Sequence, residues 1–99
     1  MENLILLEKE IEGTGEVSGL KYRQIRVSDT AYLYEVSRDG IIVCFEVFER
    51  KNSAMCVDFE KRIYSETEFK ETYPKSNSFG VWAWCYFKLA SALEKFNSL

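Results

Sequence analysis

The sequence has no histidine in 99 residues. The commonest general base and the commonest nitrogen ligand for metals are therefore missing. Proline occurs once, at Pro74, and glycine five times, far too little of either for a collagen-like or Pro/Gly-rich unstructured chain. The three cysteines, Cys44, Cys56 and Cys85, form no Cys-x-x-Cys pair. An odd number at wide spacing argues against a disulfide framework and reads as reduced thiols in a cytoplasmic protein. No stretch approaches the length of a membrane span. The apolar run Leu4 to Leu7 is too short for the core of a signal peptide and lacks a basic flank. Neither sign of charge dominates: 13 basic and 16 acidic groups leave a net charge of −3, which opposes phosphate-backbone binding as a main role. Phosphate-binding, dinucleotide-binding, serine-hydrolase and zinc-protease motifs are all absent. These absences predict a protein that is not an enzyme and that carries no metal or cofactor.

What is present is apolar and aromatic. Hydrophobic residues make up 46% and aromatic residues 15% of the chain, enough to exclude disorder, and a chain of this length has room for one core, so residues 1–99 are expected to form a single domain. The strongest local signal is Asp39-Gly40, set between the β-rich runs Tyr32–Arg38 and Ile41–Arg50. A two-residue type I′ turn needs φ > 0 at both positions, which Asp-Gly tolerates. An unbroken register from that turn pairs Arg38 with Ile41, Val36 with Val43, Tyr34 with Phe45 and Tyr32 with Val47. Alternation then puts Tyr32, Tyr34, Val36, Val43, Phe45 and Val47 on one face, expected to be the core. A tight turn at Asp29-Thr30 would add Ile25 and Val27 to it. The opposite face would carry Tyr22, Gln24, Arg26, Leu33, Glu35, Ser37, Ile42, Cys44, Glu46, Phe48 and Arg50, with Arg26 near Glu35 and Glu46. That is more apolar surface than a solvated face usually shows.

Elsewhere the pattern is less sharp. Leu4 to Ile11 fits a helix or a strand; a strand returning through Gly13-Thr14-Gly15 to the run from Glu16 is favoured, with Gly19 as a bulge. Met55, Val57 and Phe59 alternate as a fourth central strand. Lys61 to Ser78 reads as a polar loop in which Ser65 to Glu68 could start a helical turn. Phe79 to Phe87 has both a strand and a helix reading; its bulky aromatics favour the strand, with Trp82, Trp84 and Tyr86 on one face. From about Lys88, the spacing of Leu89, Ala92, Leu93 and Phe96 predicts an amphipathic helix. A helix this short needs a surface to pack on. The expected fold is α+β: a curved antiparallel sheet of about five to six strands with one C-terminal helix across one face.

Phe79-Gly80-x-Trp82-Ala83-Trp84 followed by a short amphipathic helix resembles the C-terminal signature of small uncharacterised proteins from gut-bacterial phages and mobile elements. Tyr73-Pro74, Tyr34-Glu35-Val36 and Phe45-Glu46-Val47-Phe48 are similar too, so the likeness spans most of the chain. Its motifs are packing residues, and it implies a shared fold rather than a particular chemistry. The order of strands followed by one helix is also similar, in topology alone, to the PC4 and Whirly single-stranded-DNA-binding folds; a shared topology does not carry a function.

Candidate sites follow from the mixed face. Tyr22, Arg26, Leu33, Ile42, Phe48 and Arg50 form the candidate binding face. Covered by a second copy of the chain or by a protein partner, this face, or an exposed sheet edge in its place, makes the chain a binding or assembly module. As an alternative, Tyr22 and Phe48 would stack nucleic-acid bases while Arg26 and Arg50 meet phosphates, with Lys21, Arg23, Lys51, Lys61 and Arg62 extending the surface. Trp82 and Trp84 read as packing residues before they read as a binding slot. Glu8, Glu10 and Glu12, and Glu66, Glu68 and Glu71, are groupings that 16 acidic residues produce by chance.

Overall fold

A computed structural model of the chain describes residues 3–14, 17–58, 60–61 and 63–99. Its strands are β1 (Asn3–Ile5), β2 (Glu10–Glu12), β3 (Leu20–Val27), β4 (Ala31–Arg38), β5 (Ile41–Glu49), β6 (Asn52–Asp58), β7 (Ile63–Glu71) and β8 (Ala83–Tyr86), followed by the helix α1 (Leu89–Ser98). The fold class is α+β. Two compact units divide the chain, one taking the residues up to Leu7 together with Arg50–Tyr73, the other Glu8–Glu49 together with Pro74–Leu99.

The second unit is a five-stranded antiparallel sheet in the order β2-β3-β4-β5-β8. Both predicted tight turns form. Asp39 and Gly40 have φ of 52° and 79°, the left-handed pair a primed turn requires. At Asp29-Thr30, the Ser28 amide donates to the Ala31 carbonyl at 2.9 Å, and the Ser28 hydroxyl accepts from the Thr30 and Ala31 amides. The terminal helix forms as its spacing predicts and buries Ala92 and Phe96 against Ala31, Leu33, Phe45 and Val47, with Ile25, Tyr86, Leu93 and Leu99 around them. The extended reading of the aromatic segment holds for Ala83–Tyr86, which pairs with Phe45–Phe48. Gly80, at φ +89°, turns the chain into this strand.

The register departs from the unbroken ladder, and this corrects the predicted faces. Arg38 opposes Ile41 and Ser37 opposes Ile42, but Val36 then opposes Cys44, leaving Val43 as an extra residue. Beyond that bulge Glu35 meets Phe45, Tyr34 meets Glu46, Leu33 meets Val47 and Tyr32 meets Phe48. One inserted residue moves every later side chain of one strand to the other face relative to its partner. Phe45 and Val47 therefore lie under the helix as expected, but with Leu33 and Ala31 rather than Tyr34 and Tyr32. A second irregularity between Gln24 and Arg26 lets Ile25 reach the helix cluster while Val27 is exposed. It is Arg23, not Arg26, that pairs with Glu35, at 3.5 Å.

The first unit is a three-stranded sheet in the order β1-β7-β6. The N-terminal segment divides between the two sheets: Asn3–Ile5 pairs in parallel with Glu68–Lys70, while Glu10–Glu12 pairs with Lys21–Arg23. The expected return through Gly15 and Glu16 falls outside the described residues, as does part of the predicted fourth strand at Phe59; the strand itself is present as Asn52–Asp58. Gly19 is a turn residue at φ +91° before β3 rather than a bulge within it. Ile63–Glu71, read from sequence as loop with a helical turn, is a nine-residue strand. Its two ends are fixed by pairing, Ile63 and Tyr64 and then Phe69–Glu71 with β6, and Glu68–Lys70 with β1, and β propensity follows such context. Arg50 donates to the Glu71 carboxylate at 2.7 Å, and Glu71 is buried.

Candidate functional site

Three surfaces of the five-stranded sheet bear on function: the face away from the helix, the open part of one edge, and a small group of thiols where they meet.

The face away from the helix carries Tyr32, Tyr34 and Phe48, with ring centroids 5.7–5.8 Å apart, and Trp82 edge-on to Phe48 at 6.4 Å. These contacts are within the range that favours aromatic pairs. Tyr32, Tyr34, Val36 and Phe48 are fully buried. The Tyr34 hydroxyl donates to the Glu8 carbonyl and accepts from the Gln24 side-chain amide at 3.1 Å, so the polar tip of this ring is satisfied. Tyr22 is 7% exposed on the same face, and burial, then Glu46 and Cys44, raise its phenol above the usual value.

The six residues of the sequence-predicted binding face do not share one exposed surface. Tyr22 and Phe48 are buried on the aromatic face, and Leu33 is buried under the helix. Arg26 is exposed and donates to the carbonyl of Ile25, while Arg50 binds Glu71. Only Ile42 is an exposed apolar group. Base stacking on Tyr22 and Phe48 gains no support from this placement. Trp84 and Tyr86 do project to the helix face, and the Lys95 ammonium sits 3.9 Å above the Trp84 ring. Trp82 precedes the strand and turns to the opposite side.

An exposed sheet edge is one of the two association surfaces expected from the sequence, and the structure has one beyond β5, which the sequence does not single out. Strand β8 covers β5 only from Phe45 to Phe48. Among the described residues no strand pairs with Ile41–Cys44 on that side. Ile41, Ile42 and Val43 are 71%, 52% and 46% exposed, and Phe87, where the chain leaves β8, is 84% exposed, followed by exposed Leu89. The sequence signal was the run Ile41-Ile42-Val43, three β-branched residues with no polar alternation. Such a run reads as buried until the neighbouring strand proves too short to cover it.

Cys44 and Glu46 lie two residues apart on β5, and Cys85 lies directly across from Glu46 on β8. The two sulfurs and a carboxylate oxygen all fall within 4.8 Å of one another. Cys44 is buried and Cys85 exposed. Burial, then the hydrogen bond with Cys85, pushes the Cys44 thiol up to about 12. A depression of about 480 Å³ elsewhere on the sheet is walled by Glu10, Glu12, Lys21, Tyr22, Arg23 and Glu35 and brings no nucleophile together with a base.

No protein-family model, curated protein or solved structure matches the chain. No helix among the described residues is long and apolar enough to cross a membrane.

Proposed function

We propose that this chain is a non-enzymatic assembly module that pairs with a second copy of itself along the open edge of β5. The observation that carries this reading is the exposure of Ile41, Ile42 and Val43 on a stretch of strand that, among the described residues, is paired on the β4 side alone. A bare strand edge presents unpaired amides and carbonyls, and natural sheets usually blunt such an edge with charge, proline or a covering element. Here the edge is apolar instead. Two copies of Ile41–Cys44 run antiparallel about a two-fold axis would complete each other's ladder, because an isologous contact uses the same patch twice. Exposed Phe87 and Leu89 flank the site and extend the apolar area that a dimer would cover.

A ladder of about four residues is short, so association should depend on concentration. Sedimentation equilibrium is the test. The wild-type chain should shift from monomer to dimer as concentration rises, and Ile42→Lys, which places a charge on the edge, should stay monomeric with an unchanged melting temperature. A wild-type chain that is monomeric at high micromolar concentration would remove the self-pairing reading. A labelled single-stranded DNA titration across salt serves as the control for the alternative partner class; binding that falls with rising salt would favour it over self-pairing.

A further inference from the structure

We infer that Cys44, Cys85 and Glu46 form a binding site for a thiophilic divalent cation of the zinc class. The inference does not rest on the edge-pairing reading: Cys44 ends the open stretch of β5, but it shares the sheet face with Glu46, and Cys85 is the cross-strand partner of Glu46. Three features carry it.

The first is convergence. Cys44 and Glu46 are two residues apart and so share a face of β5, while Cys85 is the cross-strand partner of Glu46. Donors from two hydrogen-bonded strands are held by the ladder itself. The second is spacing. All three donor atoms lie within 4.8 Å of one another. A tetrahedral zinc ion places its sulfur ligands at about 2.3 Å and a carboxylate oxygen at about 2.1 Å, so its donors sit roughly 3.6–3.8 Å apart, and side-chain rotation alone can close the remaining gap. The third is chemistry and access. Two thiolates with one carboxylate suit a soft or borderline ion and not magnesium or calcium, which take all-oxygen shells. Cys85 is exposed, which leaves a route for the ion and a position for a water as fourth ligand.

Binding balances as follows. The cation displaces one proton from each thiol, two metal–sulfur bonds and one metal–oxygen bond form, and two protons go to solvent. The ion's two positive charges meet three negative ligands, leaving the centre with one net negative charge. Uptake should therefore release protons and strengthen as pH rises through neutrality.

The probe is cobalt(II), with zinc(II) as competitor, added to the full chain under a non-chelating reductant. One cobalt per chain should bind, produce a thiolate-to-cobalt charge-transfer band in the near ultraviolet, and be displaced by zinc. Magnesium and calcium in excess should leave the band intact. The band should vanish in Cys85→Ser, whose exposed position spares the fold, and weaken at least tenfold in affinity in Glu46→Gln. Cys56→Ser should bind like wild type. A missing band in reduced protein, a band that survives Cys85→Ser, or one that requires Cys56 overturns the assignment. So does a finding that Cys44 and Cys85 take up no metal when reduced and merely form a disulfide on exposure to peroxide.

Discussion

From Phe45 to Phe48, β5 has a hydrogen-bonded neighbour on each side; from Ile41 to Cys44, among the described residues, it has only β4. Both halves are mainly apolar, Ile41-Ile42-Val43-Cys44 against Phe45-Glu46-Val47-Phe48. Phe45, Val47 and Phe48 are nevertheless buried, whereas Ile41, Ile42 and Val43 stand in solvent. What separates them is the length of β8. A four-residue strand that ends at Tyr86 can cover half of a nine-residue partner, and the chain then leaves the edge at Phe87 to start the helix. Hydrophobicity says that a segment can be buried; strand pairing decides whether it is. The lower half is built into the core of the unit, and in the upper half Ile41, Ile42 and Val43 are left in solvent.

The bulge at Val43 lies within the open half, one residue before its end, and deletions would expose it most strongly. Removing Val47 shifts Phe45 out from under the helix relative to the residues after it, and this variant should lose its cooperative thermal transition. Removing Val43 takes out only the extra residue and joins Ile42–Ser37 to Cys44–Val36 in one continuous ladder, so it should fold and keep Phe45 and Val47 beneath the helix. Circular dichroism melts of both deletions make the comparison, and a Val43 deletion as damaging as the Val47 deletion would break the register account.

Truncations give the next largest contrast. Phe45→Ala and Phe48→Ala each remove a buried ring and should cost about 3–5 kcal/mol. Ile42→Ala, on the open half, should stay within about 0.5 kcal/mol in dilute solution. Urea denaturation of the three variants reads these values, and a loss at Ile42 comparable to that at Phe48 would mean that the upper half is packed within the monomer.

Much of this architecture was legible in the sequence. Asp39-Gly40 announced its turn through the φ > 0 requirement, the Leu89–Phe96 stripe announced the helix, and the aromatic segment announced a strand. The faces of β5 were also legible, since Phe45 and Val47 do lie under the helix. Those of β4 were inverted, because a bulge leaves no trace in a pattern where both faces are apolar: Leu33 and Tyr34 are both fully buried, so neither alternation nor composition could say which way the register ran. The parallel pairing of Asn3–Ile5 with Glu68–Lys70 joins segments far apart in the chain and has no local signal. The candidate site was hidden for a related reason. Its exposure comes from where β8 stops, and its thiols meet only because Cys85 lands opposite Glu46.

The smallest predicted effect lies at the junction of the two halves. In the folded chain burial, then the hydrogen bond with Cys85, pushes the Cys44 thiol up from 9.0 to about 12. Folding thus holds a proton that the unfolded chain releases earlier. The stability this contributes is complete below pH 9 and is lost as pH rises through 12. Tyr22, raised in the same sense by burial and by Glu46, acts in the same direction at the alkaline end. Urea midpoints measured from pH 8 upward should fall, and Cys44→Ala should make that fall shallower; an unchanged slope would place the titration elsewhere.

Amide hydrogen exchange on the Ile41–Cys44 stretch tests the assembly account most directly. The amides there that β4 does not engage should exchange freely in dilute protein and become protected as concentration rises, while those of Phe45–Phe48 stay protected throughout. Free exchange of Ile41–Cys44 at every concentration, in protein that nonetheless forms dimers, would contradict the account and move the contact to another surface.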